Sequence, residues 1–170
     1  MLLIKLPANK KGSGQMMSSQ RIVIVTGGSQ NIGLSIARRF SQTKALVICA
    51  DLKPPPDEAL EFISTDVSDE NSVRDLMDKV DENFGHVEVL VNNAGISSES
   101  LIQDITEEEW DRIMDTNIKG TFFMTKHVLN LMKKDPFLKA AIVNISSIEG
   151  IGANPFHAAY AASKAAIAAF

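Results

Sequence analysis

The sequence predicts a doubly wound α/β fold, a parallel sheet with helices on both faces. Short, solid apolar runs alternate with stretches of helical periodicity. Those runs lack the in–out alternation of a sheet wet on one side, so they are expected to be covered on both. The first of them ends in a glycine corner, Thr26-Gly27-Gly28, from which a helical pattern starts.

The elements follow in order. Residues 22–25 are a β-branched run and read as the first strand. Ile32, Ile36, Ala37 and Phe40 recur at helical spacing and predict a helix over 32–40. Residues 46–50 read as a second buried strand, and Pro54-Pro55-Pro56 then imposes an extended loop. A short third strand is expected at 61–64. Ser68 can cap a helix that runs to Phe84 and stops at Gly85. The fourth strand is expected at 87–91, just before Asn92-Asn93-Ala94-Gly95. Thr106 and Glu109 form a capping box that opens a helix through Trp110, Ile113 and Met114. Another helix is expected over 118–133, broken by Pro136. Residues 141–145 make a fifth strand, and a last helix starts near Phe156 or His157 and still runs at Phe170. Residues 1–20, with paired lysines, glycines, serines and glutamines, read as a disordered extension ahead of a single domain at 21–170, with an alternative start at Met16 or Met17.

With 170 residues, 45% of them hydrophobic and 22% charged, the chain has the composition of an ordinary globular domain. A net charge of −4 without a basic run argues against a nucleic-acid surface. No apolar stretch approaches the roughly 18 residues needed to span a bilayer, and none suits a signal peptide, so a cytoplasmic location is expected. The single cysteine, Cys49, lies in an apolar run and reads as a buried structural thiol in a reducing compartment. His86, His127 and His157 are scattered, so no metal site is expected.

Two places carry chemistry. The corner Thr26-Gly27-Gly28-Ser29-Gln30-Asn31-Ile32-Gly33 lets backbone approach a phosphate at a helix N-terminus. Asp51, at the end of the second strand, is placed to accept hydrogen bonds from the two hydroxyls of an adenosine ribose. Its charge would repel a 2′-phosphate and so favours NAD over NADP. Lys53 and Arg38 lie close enough in sequence to leave NADP open. Near the other end, Tyr160 and Lys164 are four residues apart and share a helix face. A free phenol titrates near 10 and is a poor base at neutral pH. An ammonium about 5 Å away favours a phenolate by roughly 3 kcal/mol at an effective dielectric near 20. Such a pair can run acid–base chemistry near neutral pH.

With these residues the chain resembles the classical short-chain dehydrogenase/reductase family, from Arg21 to Phe170. The family's T-G-x-x-x-G-x-G is represented by Thr26, Gly27 and Gly33, with Asn31 where the middle glycine is usual. Asparagine tolerates left-handed backbone better than most residues. The Y-x-x-x-K motif corresponds to Tyr160 and Lys164, and the catalytic serine to Ser147 by its spacing, rather than to Ser146. Asn117, in Thr116-Asn117-Ile118-Lys119-Gly120, resembles the family's catalytic asparagine, and Asp66 with Val67 its adenine contact. Asn92-Asn93-Ala94-Gly95 resembles the segment beneath the cofactor.

The resemblance implies a Rossmann-type fold and hydride exchange between a nicotinamide and an alcohol or carbonyl. Tyr160 would act as acid/base, Lys164 would tune it and hold the nicotinamide ribose, and Ser147 would bond the substrate oxygen. Asn117 would hold a water leading from Lys164 to solvent. Gly27, Ser29, Asn31, Ile32, Gly33, Asp51, Asp66, Val67, Asn93, Ala94, Gly95, Tyr160 and Lys164 would contact the cofactor. It further implies a homodimer or homotetramer built through the helices after the fourth and fifth strands. Two more strands with their helices are expected after Phe170, so the chain reads as C-terminally shortened, and the last strands of the sheet as missing. An alternative follows from that: a non-catalytic nucleotide-binding or dimer-interfering fragment. His157 and Glu149 fall in the segment that lines the substrate side in that family, but His157 reads first as a helix-start residue and a substrate contact is the alternative for both, while Trp110 is expected in the core and Glu107–Glu109 at a helix N-terminus. Substrate identity and reaction direction are not readable from these residues.

Overall fold

The structure, a computed structural model, describes residues 20–134 and 139–170. The expected N-terminal extension up to residue 19 and the break at Pro136 lie outside the described residues. The elements are β1 (Ile22–Thr26), α1 (Asn31–Ser41), β2 (Leu46–Asp51), β3 (Glu61–Ser64), α2 (Glu70–Phe84), β4 (Val89–Asn92), α3 (Glu107–Met114), α4 (Gly120–Met132), β5 (Ala141–Asn144) and α5 (Ala158–Ala169). All strand pairs are parallel, in the order β3-β2-β1-β4-β5. The chain thus winds outward from β1 to β3, returns to the centre, and winds outward again through β4 and β5. The reversal between β1 and β4 opens a crevice at the strands' C-terminal ends, where ligands of doubly wound sheets bind.

The solid apolar runs are explained by the two cores. In β1, Val23 and Val25 face one way, with Ala37 of α1 and with Val47, Cys49 and Val91. Ile22 and Ile24 face the other way, with Val73, Leu76 and Val80 of α2 and Met124 and Val128 of α4. Successive residues of a strand point to opposite faces, so a strand with a helix on each side has no polar positions left. Each such side chain contributes roughly 1.5–3 kcal/mol by its burial. β5 departs from this pattern: it is the sheet's edge, and Val143 is exposed.

Several boundaries differ from the expected ones for local reasons. Asp69, not Ser68, caps α2, its side chain accepting from Asn71 N–H. Ser68 is held instead by Asp66, whose Oδ1 accepts from both the Ser68 N–H and hydroxyl. β4 starts at Val89 rather than Val87, though Val87 is buried. The helices expected at 106 and 118 are one continuous rod: α3 passes through a π turn, Asp115–Lys119, directly into α4. Trp110 is 39% exposed rather than in the core. Thr106 caps α3 by accepting from Glu109 N–H, but the Glu109 carboxylate turns away to Ser100 Oγ, 2.9 Å distant. Hydrogen bonds from Ser98 and Ser100 hold Glu109 below the usual carboxylate range.

Candidate active site

The phosphate corner is built by backbone exclusion. Gly27 has φ 61, and a Cβ on Gly33 would lie 2.0 Å from the Gly27 carbonyl oxygen, so no side chain fits there. Asn31 adopts φ 47, the left-handed region. The N-cap of α1, Gln30, makes no side-chain capping bond, which leaves the first amides of the helix free to meet an anion. Beneath the corner, Thr26 Oγ1 accepts from the N–H groups of Asn93 and Ala94, each 2.9 Å away. Asn93 Nδ2 returns bonds to the carbonyls of Thr26 and Gly27. The segment 92–95 therefore props the corner from the end of β4.

Asp51 stands at the C-terminal end of β2 with each carboxylate oxygen tied to one amide. Oδ2 accepts from Ser29 N–H at 3.0 Å and Oδ1 from Leu52 N–H at 2.7 Å. Each oxygen keeps acceptor capacity, and the carboxylate is fixed in direction. Asp51, Asp66, Val67 and Ser68 line one cavity of about 400 Å³. Ser147, Tyr160 and Lys164 line another of about 340 Å³. Gly27, Gln30, Ala94, Gly95 and Ile96 are walls of both, so the two are halves of one cleft across the β1/β4 crevice. The bare glycine corner, the uncapped helix end and the fixed acid fit a dinucleotide. Cys49, behind the corner, is buried, with its Sγ 3.4 Å from the Gly28 carbonyl; burial and the nearby Asp51 and Asp57 push its thiol up to about 11.

At the other end of the cleft, Lys164 is buried and donates from Nζ to the Ile145 carbonyl at 2.8 Å. The Nζ lies 5.8 Å from the centroid of the Tyr160 ring. Burial disfavours the ammonium and lowers its pKa below the ordinary lysine value. The two serines behave differently. Ser146 Oγ donates to the Lys164 carbonyl and is spent on holding α5. Ser147 Oγ accepts from Glu149 N–H at 3.2 Å, which leaves its hydroxyl hydrogen to donate into the cleft.

Asn117 sits in the π turn, fully buried. Its Oδ1 accepts from Ile96 N–H at 2.8 Å, and its Nδ2 donates to the Ile96 carbonyl and to Ser163 Oγ. Ser163 Oγ in turn donates to the Tyr160 carbonyl. Both amide hydrogens of Asn117 are thereby used, so a water held by this side chain must bond through its oxygen. Ile96 and Ser163 were not singled out from sequence, and Thr26 was named only as part of the glycine motif, without its hydrogen-bonding role. Thr26 and Ser163 lie inside the two motifs, but Ile96 acts through its backbone, which no side-chain pattern reveals.

Other singled-out residues lie apart. His127 Nε2 is 2.8 Å from Glu70 Oε1, and His86 Nδ1 is 3.1 Å from the Phe84 carbonyl. Hydrogen bonds from Lys126 and His127 hold Glu70 down at about 2. Glu149 is clasped to the backbone and side-chain nitrogens of Asn154, and these bonds hold it below the usual carboxylate range. His157 lies edge-on to Tyr160, ring centroids 6.3 Å apart. Among the described residues no three His, Cys, Asp or Glu side chains cluster as metal ligands, and no helix is long and apolar enough to cross a membrane.

The chain is similar to proteins with this architecture. It is 38% identical over 157 residues to an NADP-dependent (R)-specific alcohol dehydrogenase of Lentilactobacillus kefiri, covering 86% of this chain and 62% of that protein. It is 33% identical over 158 residues to a 3-oxoacyl-(acyl-carrier-protein) reductase of Thermotoga maritima, covering 86% and 63%. A ligand-free aldohexose dehydrogenase of Thermoplasma acidophilum superposes with a TM-score of 0.83 at 34% identity, covering 87% of this chain and 57% of that one. The chain thus spans less than two thirds of these relatives' length. The family model for short chain dehydrogenase matches residues 21–170. On this match, and on the Rossmann-type sheet that carries it, the chain belongs to the short-chain dehydrogenase family.

Proposed function

We propose that this chain carries the nucleotide site and the proton-handling side chains of an oxidoreductase acting on an alcohol or carbonyl, with NAD preferred. The observation that carries the reading is the single cleft with Asp51 at one end and Ser147, Tyr160 and Lys164 at the other. When bound, the nicotinamide supplies or accepts the hydride. The protein's part is to place and move a proton. Tyr160 hydroxyl gives its proton to a substrate carbonyl oxygen in reduction and takes it back in oxidation. Ser147, oriented by the Glu149 amide, donates its remaining hydrogen to the same oxygen as charge develops there. Lys164 stabilises the phenolate electrostatically from its buried position and is within reach of a bound ribose. Asn117, clamped on Ile96 and Ser163, is a positioning residue that fixes the wall at 95–96 and the first turn of α5.

The preference for NAD rests on Asp51. Its carboxylate is held by two amides where a 2′-phosphate would bring more negative charge, and the NADP dependence printed for the Lentilactobacillus relative makes this the feature most open to test. The relatives' names support small-molecule alcohols, sugars or acyl thioesters as substrates. A cytoplasmic, homodimeric or homotetrameric protein is part of the same reading, with the exposed Phe122 and Leu129 of α4 as interface candidates.

Titration with NADH followed by fluorescence, beside an NAD-dependent oxidation assay over an alcohol panel, tests the function. Saturable NADH binding with turnover is expected. Binding without turnover would favour the non-catalytic nucleotide-binding alternative, and absence of binding would overturn both.

A further inference from the structure

We infer that Gly150 and Ser146 are positioning residues. Together they dock the turn that carries Ser147 flush onto α5 at Lys164, and so set where the serine hydroxyl stands relative to Tyr160. This rests on the oxidoreductase reading and adds to it two residues that act through others. Tyr160 and Lys164 lie on one helix, whereas Ser147 arrives from the end of β5, so local geometry alone does not fix one against the other. The contact between the two elements is made by backbone. A Cβ on Gly150 would lie 2.7 Å from the Lys164 carbonyl carbon, 2.8 Å from the Ala165 nitrogen and 2.9 Å from the Lys164 oxygen. The φ of Gly150 is not positive, so glycine is needed there for room and not for backbone freedom. At Gly152 a Cβ would meet nothing within 4 Å among the described residues, which confines the close approach to the turn itself.

Two hydrogen bonds pin the other side of the turn. Ser146 Oγ donates to the Lys164 carbonyl at 2.7 Å, and Lys164 Nζ donates to the Ile145 carbonyl at 2.8 Å. Lys164 is thus gripped through its side chain and its backbone by one segment, 145–150. Inside that segment, Gly150 N–H donates to the Ser147 carbonyl at 3.1 Å and Glu149 N–H to Ser147 Oγ at 3.2 Å. The serine therefore moves with Gly150. Non-bonded carbon atoms rest about 3.5–4.0 Å apart, so alanine at 150 has to push the turn off α5 by roughly 1 Å. A displacement of that size between reacting groups costs on the order of 100-fold in rate. It would also draw the Ile145 carbonyl away from the ammonium. Burial already lowers the Lys164 pKa, and losing an acceptor disfavours the charged form further, which leaves a phenolate at Tyr160 less supported.

Tyr160 is the only tyrosine of the sequence, so tyrosinate absorbance reads its ionisation in the whole chain without any substrate. Lys164 and His157 are titratable side chains set against its ring, and the variants leave both in place. Gly150→Ala is expected to raise the titration midpoint by at least about half a unit. It should also lower kcat by about 30- to 100-fold, with NADH affinity kept within about threefold. Ser146→Ala should move both in the same direction by smaller steps, kcat by about three- to tenfold. Ser146→Thr, which keeps the hydroxyl, should restore both. Variants that only unfold at lower denaturant, with midpoint and kcat at the parent's values, would overturn the inference by reducing the docking to a matter of stability. Should Gly150→Ala not fold, Ser146→Ala decides alone. A shift that Ser146→Thr fails to reverse would also overturn it. Midpoint shifts in a chain whose parent shows no turnover would leave the docking standing while the oxidoreductase reading fails.

Discussion

The two ends of the cleft are built on different physical terms. At the nucleotide end the backbone does the work. Gly33 and Gly27 pack too closely for any side chain, four hydrogen bonds join Thr26 and Gly27 to Asn93 and Ala94, and Asp51 is pinned by two amides. At the substrate end side chains dominate the outer loops, over 97–106 and 151–157: exposed Leu101, Ile102, Ile151 and Phe156, and a Glu149–Asn154 clasp. A surface of interlocked backbone tolerates almost no substitution, because every change meets an atom that cannot move. A surface of exposed side chains on tethered loops can change its character at small cost to the fold. The difference teaches that the glycine corner constrains the sequence far more tightly than the loops over 97–106 and 151–157 do.

Four substitutions would break or sharpen this contrast. The largest effect is expected at the end that holds Ser147 and Lys164, at Tyr160. Tyr160→Phe should lower turnover by about 10³-fold, while NADH affinity by fluorescence titration stays within threefold. Residual activity within tenfold of the parent would remove the phenol from its assigned role.

Next in size is Gly33→Ala. Alanine is the better helix former by roughly 1 kcal/mol, so propensity alone predicts stabilisation. The 2.0 Å approach to the Gly27 carbonyl predicts the opposite, a loss of about 3 kcal/mol in denaturant unfolding together with lost NADH binding. An unchanged midpoint would show that the corner is looser than its packing implies.

Asp51→Ser comes third. With the carboxylate gone, the NAD to NADP preference, read as a ratio of kcat/KM or of binding constants, should fall by about 10- to 100-fold, or roughly 1.4–2.8 kcal/mol. A ratio that does not move would mean that Asp51 serves only the Ser29 and Leu52 amides.

The smallest effect concerns Lys164. Its folded pKa lies below the ordinary lysine value because burial opposes the charge. As pH rises through the window between the lowered and the ordinary value, the unfolded chain holds more protons than the folded one, so stability climbs. Lys164→Met should lack that climb and be about 1 kcal/mol more stable at neutral pH, while losing turnover. A parallel pH dependence in parent and variant would mean that the ammonium costs the fold nothing.

Much of the scaffold could be read from sequence, because β-branched runs and glycine punctuation report local physics. Residues 61–64 and the stop at Gly85 were placed correctly, and five parallel strands follow from the solid apolar runs. What stayed hidden depends on longer-range competition. Ser68 and Asp69 are both good caps, and only the claim of Asp66 on Ser68 decides between them. Trp110 has the spacing of a core residue on α3, yet that face is only partly covered. The side chains of the candidate site lay in motifs, and Asp51, Asp66, Ser147, Tyr160 and Lys164 line the two halves of one cleft, while Asn117 is buried behind it. The clamp on Ile96 lay in no motif, since backbone atoms carry no sequence signature.

The π turn at Asp115–Lys119 makes the long rod from α3 to α4 sensitive to count rather than to composition. Each residue of an α-helix turns the chain by about 100°. The wide turn takes up one extra residue, so winding the same residues as plain α-helix would rotate one of the two halves by about that angle relative to the other. If α4 kept its packing against α2, α3 and Thr106 would swing away from the loop that Glu109 holds through Ser100. If α3 held its place, Met124 and Val128 would leave the core. A single-residue deletion inside the wide turn should therefore disturb the two halves less than a deletion elsewhere along the rod. The length of this helix between its two anchors is as much a part of the site as Asn117 itself.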